Sequence, residues 1–252
     1  MNTYTLDQKP ELKTPLEHLD DASWPEFLFH NDIHHWRVLF ELFPEYQILF
    51  CDGETLAVGG HTLPIVWDGT VDDLPATIED ILLRAIAAHE QGAVCNTQVA
   101  VAAMVSKAYR GQGLSTALLK AMKVVGAAHG LTSLIVPVRP TLKPRYPLIP
   151  LAEYARWQRS DNVPSGNGEP FDPWLRVHAR LGARTLAIAN TLTVRGTVAE
   201  WESWTGVTMP GSGDYVIEGA LQPVHVDCEA NVGVYEDPNV WVEHKIEDSL
   251  IR

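Results

Sequence analysis

Three cysteines are all that 252 residues contain, Cys51, Cys95 and Cys228. They are too few and too scattered for a disulfide framework or a zinc site. They read instead as reduced thiols, which predicts a cytoplasmic protein. No apolar run approaches the ~18 residues that a membrane helix needs. The polar start, Met1 to Lys13, lacks the apolar stretch of a signal peptide. Basic residues are scarce as well: 19 Lys and Arg stand against 32 Asp and Glu, a net charge of −13. Nucleic-acid binding rests on clustered cations that neutralise phosphates, so this balance argues against nucleic acid and leaves room for a cationic or neutral ligand. Internal repeats and low-complexity tracts are absent too. A chain of this length, 46% hydrophobic, can bury a full core and is most economically a single domain, 1–252.

The pattern along the chain alternates strand and helix. Residues 1–22 read as a loose polar opening segment. From Trp24 to Phe43 the apolar spacing is helical, predicting two short helices ended by Pro44. Tyr46–Cys51 and Thr55–Val66 read as strands joined by Asp52-Gly53, a hairpin signal. Thr77–Gln91 reads as a helix closed by Gly92, Gln98–Val105 as a strand, and the stretch after Gly113 as a helix ending near His129. Leu131–Val138 is a further apolar strand. Prolines 137, 140, 144, 147 and 150 then forbid a helix and predict an extended arm carrying Arg139, Lys143 and Arg145. A short helix over Leu151–Gln158, a polar loop over Ser160–Pro170 and a helix from Asp172-Pro173 to Leu181-Gly182 follow. Arg184 to Lys245 has strand and turn character with no long helix.

The most informative stretch is Val105-Ser106-Lys107-Ala108-Tyr109-Arg110-Gly111-Gln112-Gly113-Leu114-Ser115-Thr116. A strand that feeds a glycine-rich turn and then a helix is a device for holding phosphates, because free N–H groups and the helix dipole both favour negative charge there. Gly111 and Gly113 let a pyrophosphate approach the backbone. This segment resembles the acyl-CoA-binding motif of the GNAT (Gcn5-related) N-acetyltransferases, whose pattern is Arg or Gln, two residues, Gly, one residue, then Gly or Ala. Arg110 and Gly113 match it. Ser115 departs at the last position but is small and keeps its N–H.

The resemblance implies an α/β fold of GNAT type, a mixed central sheet flanked by helices. Its core would run from about 46 to 190, with an N-terminal helical extension and a β-rich C-terminal extension over about 191–252. It implies acetyl-CoA or another acyl-CoA as co-substrate and transfer of the acyl group to the amine of a small molecule. Val105, Arg110, Gly111, Gln112, Gly113, Leu114, Ser115 and Thr116 would contact that cofactor. The strands Gln98–Val105 and Leu131–Val138 would splay apart to admit the pantetheine arm. The family often protonates the departing thiolate with a tyrosine four residues before a glycine near the last core strand. Here His178, four residues before Gly182, holds that place. An imidazole titrates near neutrality and can serve as either acid or base. Gln98 to Met104 contains no carboxylate, so the strand base common in the family is missing.

Other constellations carry weaker signals. Lys107, Arg139, Lys143 and Arg145 are cations that could meet a phosphate or an acidic acceptor. His30, His34 and His35, and separately His225, Asp227 and Glu229, lack the third or fourth ligand and the spacing of a metal site. Trp201 and Trp204 fit core packing better than a substrate pocket. Two rival functions remain at this point: an acyl-CoA-binding protein without catalysis, and a hydrolase in which Gly113-Leu114-Ser115-Thr116-Ala117 serves as a nucleophile elbow with Ser115 at its apex. The sequence leaves open whether the C-terminal stretch caps the site or forms a homodimer.

Overall fold

The computed structural model describes residues 1–159 and 168–246, and they group into two compact units. The first comprises Met1–Ser23, His34–Val136 and the chain from Glu243, and the second Trp24–Ile33 and Pro137–Val242. The polar loop expected over Ser160–Pro170 lies largely outside the described residues.

In the first unit, β1 (Asn2–Thr5), β2 (Gln47–Asp52), β3 (Thr55–Ile65) and β4 (Thr97–Val105) lie side by side in that order, each antiparallel to the next. β5 (Ser133–Val138) joins β4 in parallel, so the sheet is mixed. Four helices accompany it: α1 (Lys13–Asp21), α2 (Val38–Glu41), α3 (Ile78–Gln91) and α4 (Leu114–Ala128). The Asp52-Gly53 signal is borne out, since Asp52 pairs with Thr55 and Gly53 takes φ +62°. α3 begins where Thr77 accepts the N–H of Asp80 and stops at left-handed Gly92, as its sequence predicts.

Two adjacent glycines explain how helices cover both faces of β3. A Cβ at Gly59 would lie 2.5 Å from Cδ1 of Leu16 on α1, and one at Gly60 would lie 2.7 Å from Cε of Met122 on α4. Successive strand residues point to opposite faces, so each missing side chain admits one helix.

The opening segment is not loose. Asn2–Thr5 pairs with Ile48–Cys51, and α1 buries Leu16 completely. Asp20 on α1 also faces the buried imidazole of His61, its carboxylate oxygens 2.9 and 3.0 Å from Nε2. The amide of Gln47 donates to the carbonyls of Phe43 and Thr62, which leaves its oxygen to face Nδ1 of His61 at 2.9 Å.

The second unit contains α5 (Leu151–Tyr154), α6 (Pro173–Arg180), β6 (Arg184–Gly196), α7 (Val198–Thr205), β7 (Gly213–Tyr215), β8 (Val224–Asp227) and most of β9 (Val232–Lys245). β7, β8 and β9 are antiparallel neighbours, and β6 also pairs with β9. Trp201 is fully buried among Phe27, Val194, Val226 and Tyr235, with Trp204 against it. The tryptophans therefore belong to the core. Gly233 makes room for this ring: a Cβ there would sit 2.3 Å from the indole.

The proline-rich arm is not extended as expected: past Val138 it runs through successive turns, at 141–142 and 147–148 around a 3₁₀ turn at Lys143–Arg145, because proline's fixed φ suits turns as well as extended chain. Arg139 Nε lies 3.0 and 3.1 Å from the two carboxylate oxygens of Asp237, and Nη2 donates to the Gly219 carbonyl at 2.7 Å. Tyr235 and Asn239 donate to the same carboxylate. Lys143 is fully buried, and its ammonium donates to the carbonyls of Tyr146 and Leu221.

Burial lowers the Lys143 pKa from 10.5 to about 8. Between those values the unfolded chain holds the proton and the folded chain does not. The Lys143 contribution to stability therefore rises with pH across that window. Lys143→Met is expected to flatten the rise, measured as the wild-type-minus-variant difference in urea unfolding free energy at pH 8 and pH 10. An unchanged difference would mean that the ammonium is not desolvated.

Among the described residues, no helix is long and apolar enough to cross a membrane.

Candidate functional site

The site is built where β4 loses one of its neighbours. β4 pairs with β5 only at Thr97↔Ser133, Gln98↔Leu134 and Val99↔Ile135, and then runs on to Val105. On its other edge β3 stays paired as far as Val58↔Val105, with one irregularity where the register skips Val101. The β5-side edge of Ala100–Val105 is therefore open among the described residues. A bulge leaves an extra residue outside the ladder and bends the strand, which suits the point where the two strands part.

Past Val105 the chain turns sharply. Ser106 donates its N–H to Ala57 at 2.9 Å, Lys107–Tyr109 makes a 3₁₀ turn, and Gly111 and Gly113 take φ +79° and +75°. That conformation costs other residues about 1–2 kcal/mol. Gly113 is the N-cap of α4, and no side chain caps the helix. The N–H groups of Thr116 and Ala117 both reach the Gly113 carbonyl. Those of Leu114 and Ser115 precede the first intrahelical bond and have no acceptor among the described residues. Such orphaned donors carry the positive end of the helix dipole.

A Cβ at either glycine would meet nothing within 4 Å, so the turn faces open space. Val105, Tyr109, Arg110, Gly111, Gly113, Leu114 and Ser115 line a pocket of about 190 Å³ there. Arg110 folds back so that Nε donates to the Val105 carbonyl at 3.2 Å. Tyr109 donates its hydroxyl to Asp52 at 3.2 Å. An open strand edge suits an extended chain with amide groups, and an uncapped helix start behind two glycines suits a pyrophosphate. The residues present thus fit an acyl-CoA.

No family model matches the chain. An arginine N-acetyltransferase, avaD of Aspergillus versicolor, is 29% identical over 273 residues, covering 96% of this chain and 93% of that protein. The loading GNATL domain of CurA from Lyngbya majuscula has the same fold, with a TM-score of 0.62, 18% identity and 97% of each chain covered. The GphF GNAT-like decarboxylase in complex with isobutyryl-CoA gives 0.58 at 16% identity over 98% of this chain and 100% of that one. The chain has the GNAT fold.

In this GNAT-fold chain the residues expected at the cofactor fall on one segment of the first unit. Gln112 and Thr116 lie outside the pocket lining. Ser115 sits within the first turn of α4 in the first unit, whereas His178 and His225, the imidazoles that a hydrolase triad would draw on, belong to the second.

His178 lies on α6 in the second unit, 1% exposed, with its ring 4.4 Å from that of Trp174. Asp172 caps α6 by accepting from Trp174 and Leu175, and it also accepts from Leu142 and Tyr154. Of the cations singled out from the sequence, Arg139 and Lys143 are engaged by Asp237 and by carbonyls, so they are structural rather than phosphate ligands. Lys107 and Arg145 are exposed. The histidine clusters find local partners: His30 faces Glu26 and stacks on Trp204, His35 faces Glu79, and His225 faces Asp214. No group of three His, Cys, Asp or Glu side chains converges among the described residues.

The open edge of β4 is the feature that single-sequence reading locates least well. Its signal is indirect, a strand that outlasts its parallel neighbour.

Proposed function

We propose that the enzyme transfers an acetyl group to the amine of a small molecule, and that amino acids related to arginine are the first acceptors to test. The observation that carries this reading is full-length similarity to a protein named an arginine N-acetyltransferase. The amine nitrogen attacks the thioester carbonyl carbon, charge gathers on the carbonyl oxygen, and the C–S bond then breaks. The acceptor nitrogen loses a proton and the thiolate gains one. In this reading the main-chain groups of Ala100–Val105 hold the acyl-pantetheine arm as an added strand. Gly111, Gly113, Leu114 and Ser115 hold the pyrophosphate through the backbone, and Gln112 and Thr116 flank that contact. A main-chain N–H beside the Val101 bulge supplies a donor for the developing oxyanion.

The test is CoA release from acetyl-CoA across a panel of L-arginine, other amino acids, polyamines and arylalkylamines. Turnover confined to amino acids would support the reading. Saturable acetyl-CoA binding with no amine-dependent release would overturn it.

His178, by its place in the sequence, is the proton donor for the leaving thiolate in this reading. His178→Asn is expected to lower kcat by about 10²- to 10⁴-fold at unchanged acetyl-CoA affinity. A folded variant with normal kcat would remove the assignment.

A further inference from the structure

The pyrophosphate turn is tied to the rest of its unit at few points. Ser106 is held by the Ala57 carbonyl, and Arg110 bonds only within this stretch of chain, at Lys107 and Val105, among the described residues. Among the described residues the other long-range hydrogen bond of the turn is that of the Tyr109 hydroxyl to the Asp52 carboxylate, 3.2 Å away and 57 residues earlier in the chain. Asp52 ends β2 beside left-handed Gly53, where its pairing with Thr55 fixes the hairpin. The carboxylate thus projects from a rigid corner, whereas Tyr109 borders the pocket. The arrangement is unusual in one respect. Asp52 is an exposed anion tied to the wall of a pocket suited to a second anion, and its Coulomb effect on a bound pyrophosphate is unfavourable. Its hydrogen bond must therefore serve another purpose. Partial burial and the nearby carboxylate both hold the Tyr109 phenol above its ordinary pKa, so it stays a donor.

We infer that Asp52 and Tyr109 are positioning residues for acyl-CoA, a clasp that holds the glycine turn in the shape that receives the pyrophosphate. This rests on the cofactor reading given above. The clasp acts on affinity and not on the acyl-transfer step, because neither group belongs to the open edge of β4.

Three variants test it: Tyr109→Phe, Asp52→Ala and Asp52→Asn, each assayed for acetyl-CoA affinity by calorimetry and for KM and kcat. Losing an exposed hydrogen bond corresponds to about a 2- to 10-fold effect. Tyr109→Phe and Asp52→Ala should each raise Kd and KM by that factor with kcat unchanged. The double variant should be no worse than either single one, since both remove the same contact. Asp52→Asn keeps an acceptor oxygen and sheds the charge, so its Kd should match the wild type or fall below it.

An Asp52→Ala protein that binds as well as or better than wild type would overturn the clasp and leave Asp52 as a repelling charge alone. Loss of kcat at constant KM would overturn it too. Wild-type protein that binds no acyl-CoA would instead overturn the site itself and the clasp with it.

Discussion

Gly113→Trp is expected to abolish saturable acetyl-CoA binding, weakening it by at least about 100-fold, a deficit of roughly 2.7 kcal/mol, while the chain stays folded. The two halves of that expectation have separate causes. Gly113 adopts φ +75°, so any other residue there adds about 1–2 kcal/mol of backbone strain. A side chain at this point would meet no protein atom within 4 Å of its Cβ, so folding faces strain and no clash. The same open space is the pocket beside the free N–H groups of Leu114 and Ser115, and an indole would fill it. Calorimetric titration together with thermal melting separates the two effects, and Gly113→Ala isolates the strain. A tryptophan variant that binds acetyl-CoA at wild-type affinity would remove the glycine turn as the site.

The largest effect on stability is expected at the arm. Arg139→Ala would leave the Asp237 carboxylate, whose residue is 4% exposed, without its cation. Tyr235 and Asn239 can still donate to it, but neither supplies charge. Breaking a buried pair from one side costs about 3–5 kcal/mol, a large share of the ~5–15 kcal/mol that holds a typical domain together. The Gly219 carbonyl loses its donor in the same step. Urea unfolding of wild type and variant measures the difference. Arg139→Lys should recover only part, because an ammonium cannot span Asp237 and Gly219 as the guanidinium does. A loss below about 1 kcal/mol would place the pair with ordinary surface ion pairs.

The elements legible in the sequence are those whose signals are local. Asp52-Gly53, the Thr77 cap with Gly92, and the turn around Gly111 and Gly113 each require a particular backbone conformation, and the residue types state it. The opening segment was not legible because its structure is supplied from afar. Asn2–Thr5 has no apolar face of its own and becomes a strand through β2. α1 docks through Leu16, whose place exists because Gly59 lacks a side chain, and through Asp20, whose partner His61 lies forty-one residues away. Lys143 misled for a related reason. A lysine among prolines reads as a solvated cation until the carbonyls of Tyr146 and Leu221 surround it. The turn that suits a pyrophosphate is legible in a dozen residues, whereas the open edge of β4 depends on where a second strand stops.

A proposed grip made of main-chain N–H and C=O groups is blind to the side chains that happen to carry them. Ser115 stands where the acyl-CoA motif that this segment resembles has Gly or Ala, and what the position has to offer, its amide, is untouched. Along Ala100–Val105 the same indifference holds for any residue that keeps an extended backbone, with proline as the exception because it deletes the N–H. Sequence drift can therefore erase the motif that a reader searches for long before it erases the cofactor's foothold. Members of such a lineage become hard to recognise by letters while remaining easy to recognise by the gap between two strands.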